Sequence, residues 1–242
     1  MDKNNLLINL NKICFSYTGS PPVLDGLDFR FYRGDRLGLM GPNGSGKTTL
    51  FHIIMGLLKP SSGTIEIFGR PIMGEKDYRR IRQKIGLLFQ DADDQLFSPT
   101  VLEDVAFGPL NAGKSREESI GISLNVLERL GLSGFEDRIT YKLSGGEKRL
   151  VSLATVLAME PEILILDEPT TGLDDKTKKK IIDVLSELDL SCIMISHEID
   201  FLAETTSFIY TMEDGKIRMD EELHAHTHFH AHPHGTAPHE HK

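Results

Sequence analysis

The chain has 242 residues, 39% hydrophobic and 26% charged, enough for one buried core with a satellite lobe. Nothing in it nears the roughly 20-residue apolar run of a membrane helix, and the opening MDKNNLLINLNK has no basic start leading into an apolar stretch, so a soluble chain without a secretory signal is expected. The net charge is −9; Asp220, Glu221, Glu222 and Glu240 against Lys242 leave residues 220–242 at −3 and the body at −6, which argues against general nucleic-acid binding.

In chain order, LLINLNKICFSY, VLDGLDFRFY and DRLGLM read as strands separated by the turns TGSPP and YRGD, with Leu27, Phe29 and Phe31 alternating onto one face. Residues 47–58, KTTLFHIIMGLL, have the length and spacing of a helix. SGTIEIFGR is a further strand, and RQKIGLLFQ a strand running into a loop. Thr100 and Glu103 form a capping box before an apolar stripe. KSREESIGISLNVLERL and SGGEKRLVSLATVLAM are helices, while EILILD and SCIMIS are continuous apolar runs of the kind buried on both faces. DKTKKKIIDVLSEL is a helix between those two runs, and SFIYTMEDGKIRM a hairpin about Asp214-Gly215.

Strands alternating with helices predict an α/β core with a parallel sheet, preceded by a β lobe in the first 35 residues. A helical lobe is expected over about 91–160. Cys14 and Cys192 lie far apart in apolar runs and are expected as buried reduced thiols, as in cytoplasm. Residues 1–219 form the folded domain in this reading; 220–242 are polar, His-rich and expected not to pack without a ligand.

The most informative stretch is GPNGSGKT: Gly41, Pro42, Asn43, Gly44, Ser45, Gly46, Lys47 and Thr48. It follows a predicted strand and opens a predicted helix, the context in which glycines let backbone N–H groups surround a phosphate. Lys47 would then reach the outer phosphates and the Thr48 hydroxyl would ligate Mg²⁺. In ILILDEP, Asp167 ends a buried strand, where a bare carboxylate is costly without a cation. Glu168 beside it is placed to orient or deprotonate a water attacking the γ-phosphate. Together they indicate nucleotide hydrolysis.

LSGGEKR at 143–149 also reads as a helix cap, since Ser144 and Glu147 satisfy S-x-x-E. A cap does not explain Gly145 and Gly146 in a first helical turn, where each is worse than alanine by about 0.8–1.0 kcal/mol. A close approach of something to that backbone is the alternative.

At this point the chain resembles the ATP-binding cassette (ABC) ATPases. Walker A GPNGSGKTT, which adds Thr49, the LSGGEKR signature, Walker B ILILDE, the TTGLD loop and His197 in MISHE occur in family order, with Gln90 in LLFQ and Tyr17 in FSY. The resemblance covers residues 5 to about 218. It implies a P-loop NTPase with a RecA-like parallel-sheet core, an N-terminal antiparallel β lobe and a helical signature lobe. It further implies a head-to-tail homodimer sandwiching two ATP molecules. Ser144 and Gly146 would touch the γ-phosphate held by the other chain, with Gly145 between them, and Asp174 would bridge the interface. His197 would hold the γ-phosphate near Glu168, Gln90 would complete the shell of Mg²⁺ and water, and Tyr17 would stack on adenine.

QDADDQLFSPTVLEDVAFGPLN, 90–111, is similar to the corresponding stretch of energy-coupling factor importer ATPases, which serve uptake of vitamins and transition-metal ions. The resemblance implies a transmembrane T component whose coupling helix docks here, a substrate-binding membrane subunit, and a place on the cytoplasmic face of the membrane. Asp91, Asp93 and Asp94 are candidates for pairing with the T component's arginines, and Leu96, Phe97 and Val101 for the groove.

Eight of the ten histidines, His224, His226, His228, His230, His232, His234, His239 and His241, close the chain. Alternate side chains of an extended segment point the same way, so several imidazoles can converge on one ion such as Ni²⁺, Co²⁺ or Zn²⁺. A purification tag and an inert tail compete with this. Tags are uninterrupted runs, whereas this segment is interleaved with Ala, Thr, Phe and Pro. The expected function is an importer ATPase for nickel or cobalt; a vitamin importer with a metal-buffering tail and a cytosolic ATP-dependent metal chaperone are the alternatives.

Overall fold

The computed structural model describes residues 5–218, and the eight closing histidines lie outside the described residues. Strands β1 (Leu6–Ser16) and β2 (Pro22–Tyr32) pair antiparallel, with Leu27, Phe29 and Phe31 buried on one face. The other edge of β1 is taken by β4 (Ser62–Ile67), followed by β5 (Arg70–Pro71), giving the order β2-β1-β4-β5. The β lobe therefore draws on residues 62–71 as well as the first 35. The physical reason is register: Ile65 and Ile67 stand opposite Leu10 and Ile8 and share their buried layer, closing an edge that would otherwise leave N–H and C=O groups unpaired.

The second sheet runs β10-β9-β3-β8-β7-β6, built from β3 (Arg36–Met40), β6 (Ile85–Leu88), β7 (Ile163–Asp167), β8 (Ser191–Ile195), β9 (Phe208–Glu213) and β10 (Lys216–Arg218). All its pairings are parallel except the closing β9–β10 hairpin. Asp214 and Gly215, at φ 47° and 69°, make the two-residue turn of that hairpin. Every residue of β7 and β8 is buried, as their apolar runs require.

Helix α1 (Lys47–Ile54) is shorter than the expected 47–58. Gly56 ends that stretch at φ 67°, where a Cβ would sit 2.3 Å from the Tyr78 ring. That tyrosine belongs to α2 (Glu75–Ile81), a helix of seven residues with only Ile81 buried, so no apolar stripe announces it. Three helices form the lobe beside the sheet: α3 (Val101–Asn111), α4 (Arg116–Arg129) and α5 (Gly145–Leu157). Each begins with a full capping box, from Thr100, Ser115 and Ser144 respectively. Their apolar faces meet through Val101, Val105, Leu127, Leu130 and Leu153. Helix α6 (Asp175–Glu187) lies between β7 and β8, and the short α7 (Ile199–Thr205), also unannounced, precedes β9.

Cys192 is buried and its thiol pushed up to about 11 by that burial. Cys14 departs from expectation: it is half-buried near the end of β1, its sulfur accepting the Gly26 N–H at 3.2 Å. Among the described residues no helix is long and apolar enough to cross a membrane.

Candidate active site

The carboxyl ends of β3, β7 and β8 open onto one cavity of about 440 Å³. Residues 41–46 turn β3 into α1. Gly44 and Gly46 stand at φ 82° and 104°, which L side chains rarely adopt, and a Cβ at Gly41 would lie 2.2 Å from the Met212 carbonyl oxygen. A loop bent this way before a helix N-terminus suits an anion. Ser45 Oγ is buried with no hydrogen-bond partner among the described residues. Lys47, 8% exposed, donates to the carbonyls of Gly41 at 2.7 Å and Pro42 at 3.0 Å. Burial lowers its pKa, while the neighbouring Glu168 and Asp167 charges oppose that shift.

The Thr48 hydroxyl donates to Asp167 Oδ2 at 2.8 Å. Burial raises the Asp167 carboxyl above its ordinary range, more than that hydroxyl lowers it. A hydroxyl and a carboxylate so close, with the Gln90 amide lining the same cavity, are hard oxygen donors that fit Mg²⁺. Glu168 follows at φ 48°, its N–H bound to the Ile195 carbonyl at 3.0 Å. Its Oε2 accepts the Thr171 hydroxyl at 2.8 Å. Its Oε1 has no hydrogen-bond partner among the described residues and lies 3.4 Å from His197 Nε2.

Tyr17, Asn43, Gly44, Gly46, Lys47, Thr48, Thr49, Gln90, Asp167, Glu168 and His197 thus meet around the cavity. Tyr17 shares a 3.2 Å hydrogen bond with Thr49 and packs edge-on against Phe15. Ser144, Gly145, Gly146 and Asp174 do not line it. Ser144 caps α5, accepting the Glu147 N–H at 3.3 Å while Glu147 accepts that of Ser144 at 2.8 Å. Asp174 caps α6 through Thr177. A Cβ on Gly146 would meet the Thr177 hydroxyl at 3.2 Å, a tight contact, whereas a Cβ on Gly145 meets nothing within 4 Å.

Two participants carry no nomination from the sequence. Thr171 sits in the TTGLD loop, and its bond to Glu168 had no signal beyond adjacency. Arg149 ends LSGGEKR; a guanidinium inside the otherwise buried run Leu150–Ala154 was the available sign that it must be bonded.

A second concavity, about 370 Å³, lies beside the Gln90 loop and is walled by Phe89, Asp94, Phe97, Phe107 and Arg82, with Asp104 at its edge. Phe97 and Phe107 are exposed and meet edge to face at 4.7 Å. Asp104 is 2% exposed; its Oδ1 accepts the N–H groups of Phe97 and Ser98, and its Oδ2 has no hydrogen-bond partner among the described residues. Val101, nominated for a groove, is fully buried in the helical lobe, on the same inward face of α3 as Val105. Leu96 also packs against that core. Asp93 is engaged by Lys148 at 2.5 Å and Asp91 accepts the Asp93 N–H, which leaves Asp94 in the wall.

Parallel sheet, phosphate loop and paired acids define a P-loop NTPase. The ABC transporter family model matches residues 24–171. A Nitratidesulfovibrio vulgaris protein named for ATP binding in an ABC transporter is 50% identical over 241 residues, covering 98% of this chain and 87% of its own. The energy-coupling factor transporter ATP-binding protein EcfA of Methanothermobacter thermautotrophicus is 43% identical over 215 residues, 87% of this chain and 69% of its own. Among solved structures, cbiO1 from Clostridium perfringens, part of the ABC transporter complex cbiONQ, superposes with TM-score 0.79 at 36% identity, covering 89% of this chain and 88% of that one. The chain belongs to the ABC transporter family and is an ATP-hydrolysing cassette.

Proposed function

We propose that this cassette is the ATPase of an energy-coupling factor importer for a transition-metal cation, nickel or cobalt. It works as a head-to-tail homodimer on the cytoplasmic face of the membrane, beneath a transmembrane T component and a substrate-binding membrane subunit. The observation that carries the ATPase reading is the convergence of Lys47, Thr48, Gln90, Asp167, Glu168 and His197 on one cavity.

Loop amides, Ser45 Oγ and Lys47 receive the phosphates, Lys47 exchanging its loop carbonyls for phosphate oxygens. Tyr17 takes the adenine. Thr48, Asp167 and Gln90 would hold Mg²⁺, which neutralises phosphate charge when bound. Glu168 is pinned through Oε2, leaving Oε1 to orient water and take its proton, with His197 beside it for the γ-phosphate. The cavity lacks the signature residues of its own chain, which supports a second copy supplying Ser144, Gly145 and Gly146, with Asp174 alongside.

The aromatic groove with Asp94 and Asp104 adjoins the loop that carries Gln90, a suitable seat for a coupling helix. The likeness to EcfA and to cbiO1 supports the importer class. The tail supports metal as cargo. The Nitratidesulfovibrio vulgaris match covers 98% of the chain and so reaches beyond residue 220, which speaks against a tag.

The test is reconstitution of the cassette with its T component and substrate-binding subunit in vesicles, with Ni²⁺ and Co²⁺ uptake read alongside hydrolysis. ATP-dependent uptake of either ion is expected. Deleting residues 224–242 should remove most Ni²⁺ and Co²⁺ binding to the isolated chain and leave hydrolysis within about twofold, since the cavity is lined by residues from Tyr17 to His197. Uptake of a vitamin instead of metal overturns the cargo, and metal transfer without any membrane subunit overturns the importer.

A further inference from the structure

Arg149 lies in α5 beside Leu150, Val151, Leu153 and Ala154, all buried, and is itself only 5% exposed. A guanidinium in such a place persists only where its N–H groups find acceptors. Arg149 finds three carbonyl oxygens: those of Phe89 and Gln90, both at 2.5 Å, and that of Glu168 at 3.2 Å. The first two belong to the loop after β6, the third to the turn after β7.

That loop is fastened to α5 at other points too. Gln95 donates to the Ser152 carbonyl at 2.9 Å and the Thr155 hydroxyl at 2.8 Å, and Lys148 pairs with Asp93. Loop and helix therefore form one unit, and the bond to Glu168 ties this unit to the turn of the core sheet. Glu168 needs external support. Its backbone stands at φ 48°, which a non-glycine residue holds only where the surroundings enforce it. Ile195 fixes its N–H, and Arg149 fixes its carbonyl.

We propose that Arg149 is a positioning residue which, by bridging the Gln90 loop to the Glu168 carbonyl, sets the backbone from which Glu168 reaches water. It does not line the cavity and works through another residue's main chain. A displacement of α5 or of the Gln90 loop is thereby felt at Glu168. The proposal rests on Glu168 as the base.

Arg149→Lys keeps the charge but replaces a rigid five-donor fork with a single ammonium. The kcat for ATP with Mg²⁺ is expected to fall about 100-fold, the loss typical of a displaced reacting group. The KM for ATP should stay within about threefold, because uniform binding is untouched. When Arg149→Lys is combined with Glu168→Gln, the further loss should be less than about threefold, because both changes act through one group. Unchanged kcat, a loss confined to KM, or full multiplication of the two single losses would each overturn the proposal. Arg149→Gln is measured beside it, with thermal melting of every variant. If neither Arg149 variant folds, the residue is a structural one and the proposal falls. The base assignment fails separately, by parental turnover of Glu168→Gln alone.

Discussion

Asp104 is a buried carboxyl whose Oδ2 has no hydrogen-bond partner among the described residues. Burial holds its carboxyl above the ordinary range, outweighing the N–H groups of Ser98 and Phe97 that pull it down. A carboxyl raised on folding contributes its stability below its unfolded pKa and loses it as pH rises through the folded value. Asp104→Asn keeps the acceptor for those N–H groups and removes the charge. The variant should therefore melt above the parent at pH 8, with the difference vanishing below about pH 4, where both forms are neutral. If the groove seats a basic helix, the same change should weaken the complex with the T component; equal melting at pH 8 would contradict the buried-charge argument. Many residues that the sequence named for the cavity lie in short contiguous motifs, such as Gly41 to Thr49 or Asp167-Glu168, where spacing fixes proximity within each motif, while Tyr17, Gln90 and His197 came from the family resemblance. Asp104, Thr171 and Arg149 escaped because their roles depend on where folding places their partners. For Arg149 the Phe89 and Gln90 carbonyls are about sixty residues away.

At the scale of elements, α4 and α5 provide an internal control. Both start with a serine capping box of nearly the same geometry, Ser115 with Glu118 and Ser144 with Glu147. Replacing either serine with alanine should cost about 1 kcal/mol of stability. Only Ser144→Ala should also depress hydrolysis, since Ser115 has no place at the nucleotide. Comparable melting with unequal ATPase rates would separate capping from contact with the second nucleotide; equal rates would reduce Ser144 to a cap. The long amphipathic and apolar elements were legible because period and caps agreed. Helices α2 and α7, seven residues each, were not, because neither is long enough to show a period. The pairing of β4 with β1 depends on a register between distant segments that no local pattern encodes.

At the scale of the whole molecule, the α/β class, the parallel core and the helical signature lobe followed from alternation of strands and helices together with the family motifs. Ser144 and the cavity, joined in one list of motifs, stand apart in one chain, since Ser144 is not part of the cavity lining. In the proposed head-to-tail pair these are two half-sites, one built on α1 and β7, the other at the start of α5.

Those separated half-sites have a genetic consequence. A chain with Lys47→Ala retains a sound signature, and a chain with Ser144→Arg retains a sound phosphate loop, although in the proposed pair neither would form a working site with its own kind. Mixed, they would assemble, in the proposed head-to-tail dimer, pairs in which one site receives both intact halves while the other receives both damaged ones. Two inactive alleles expressed together should therefore restore hydrolysis, to at most about a quarter of the parental rate if pairing is random and the sites act independently. Failure of complementation, with mixed pairs demonstrably formed, would mean that one intact site cannot fire alone.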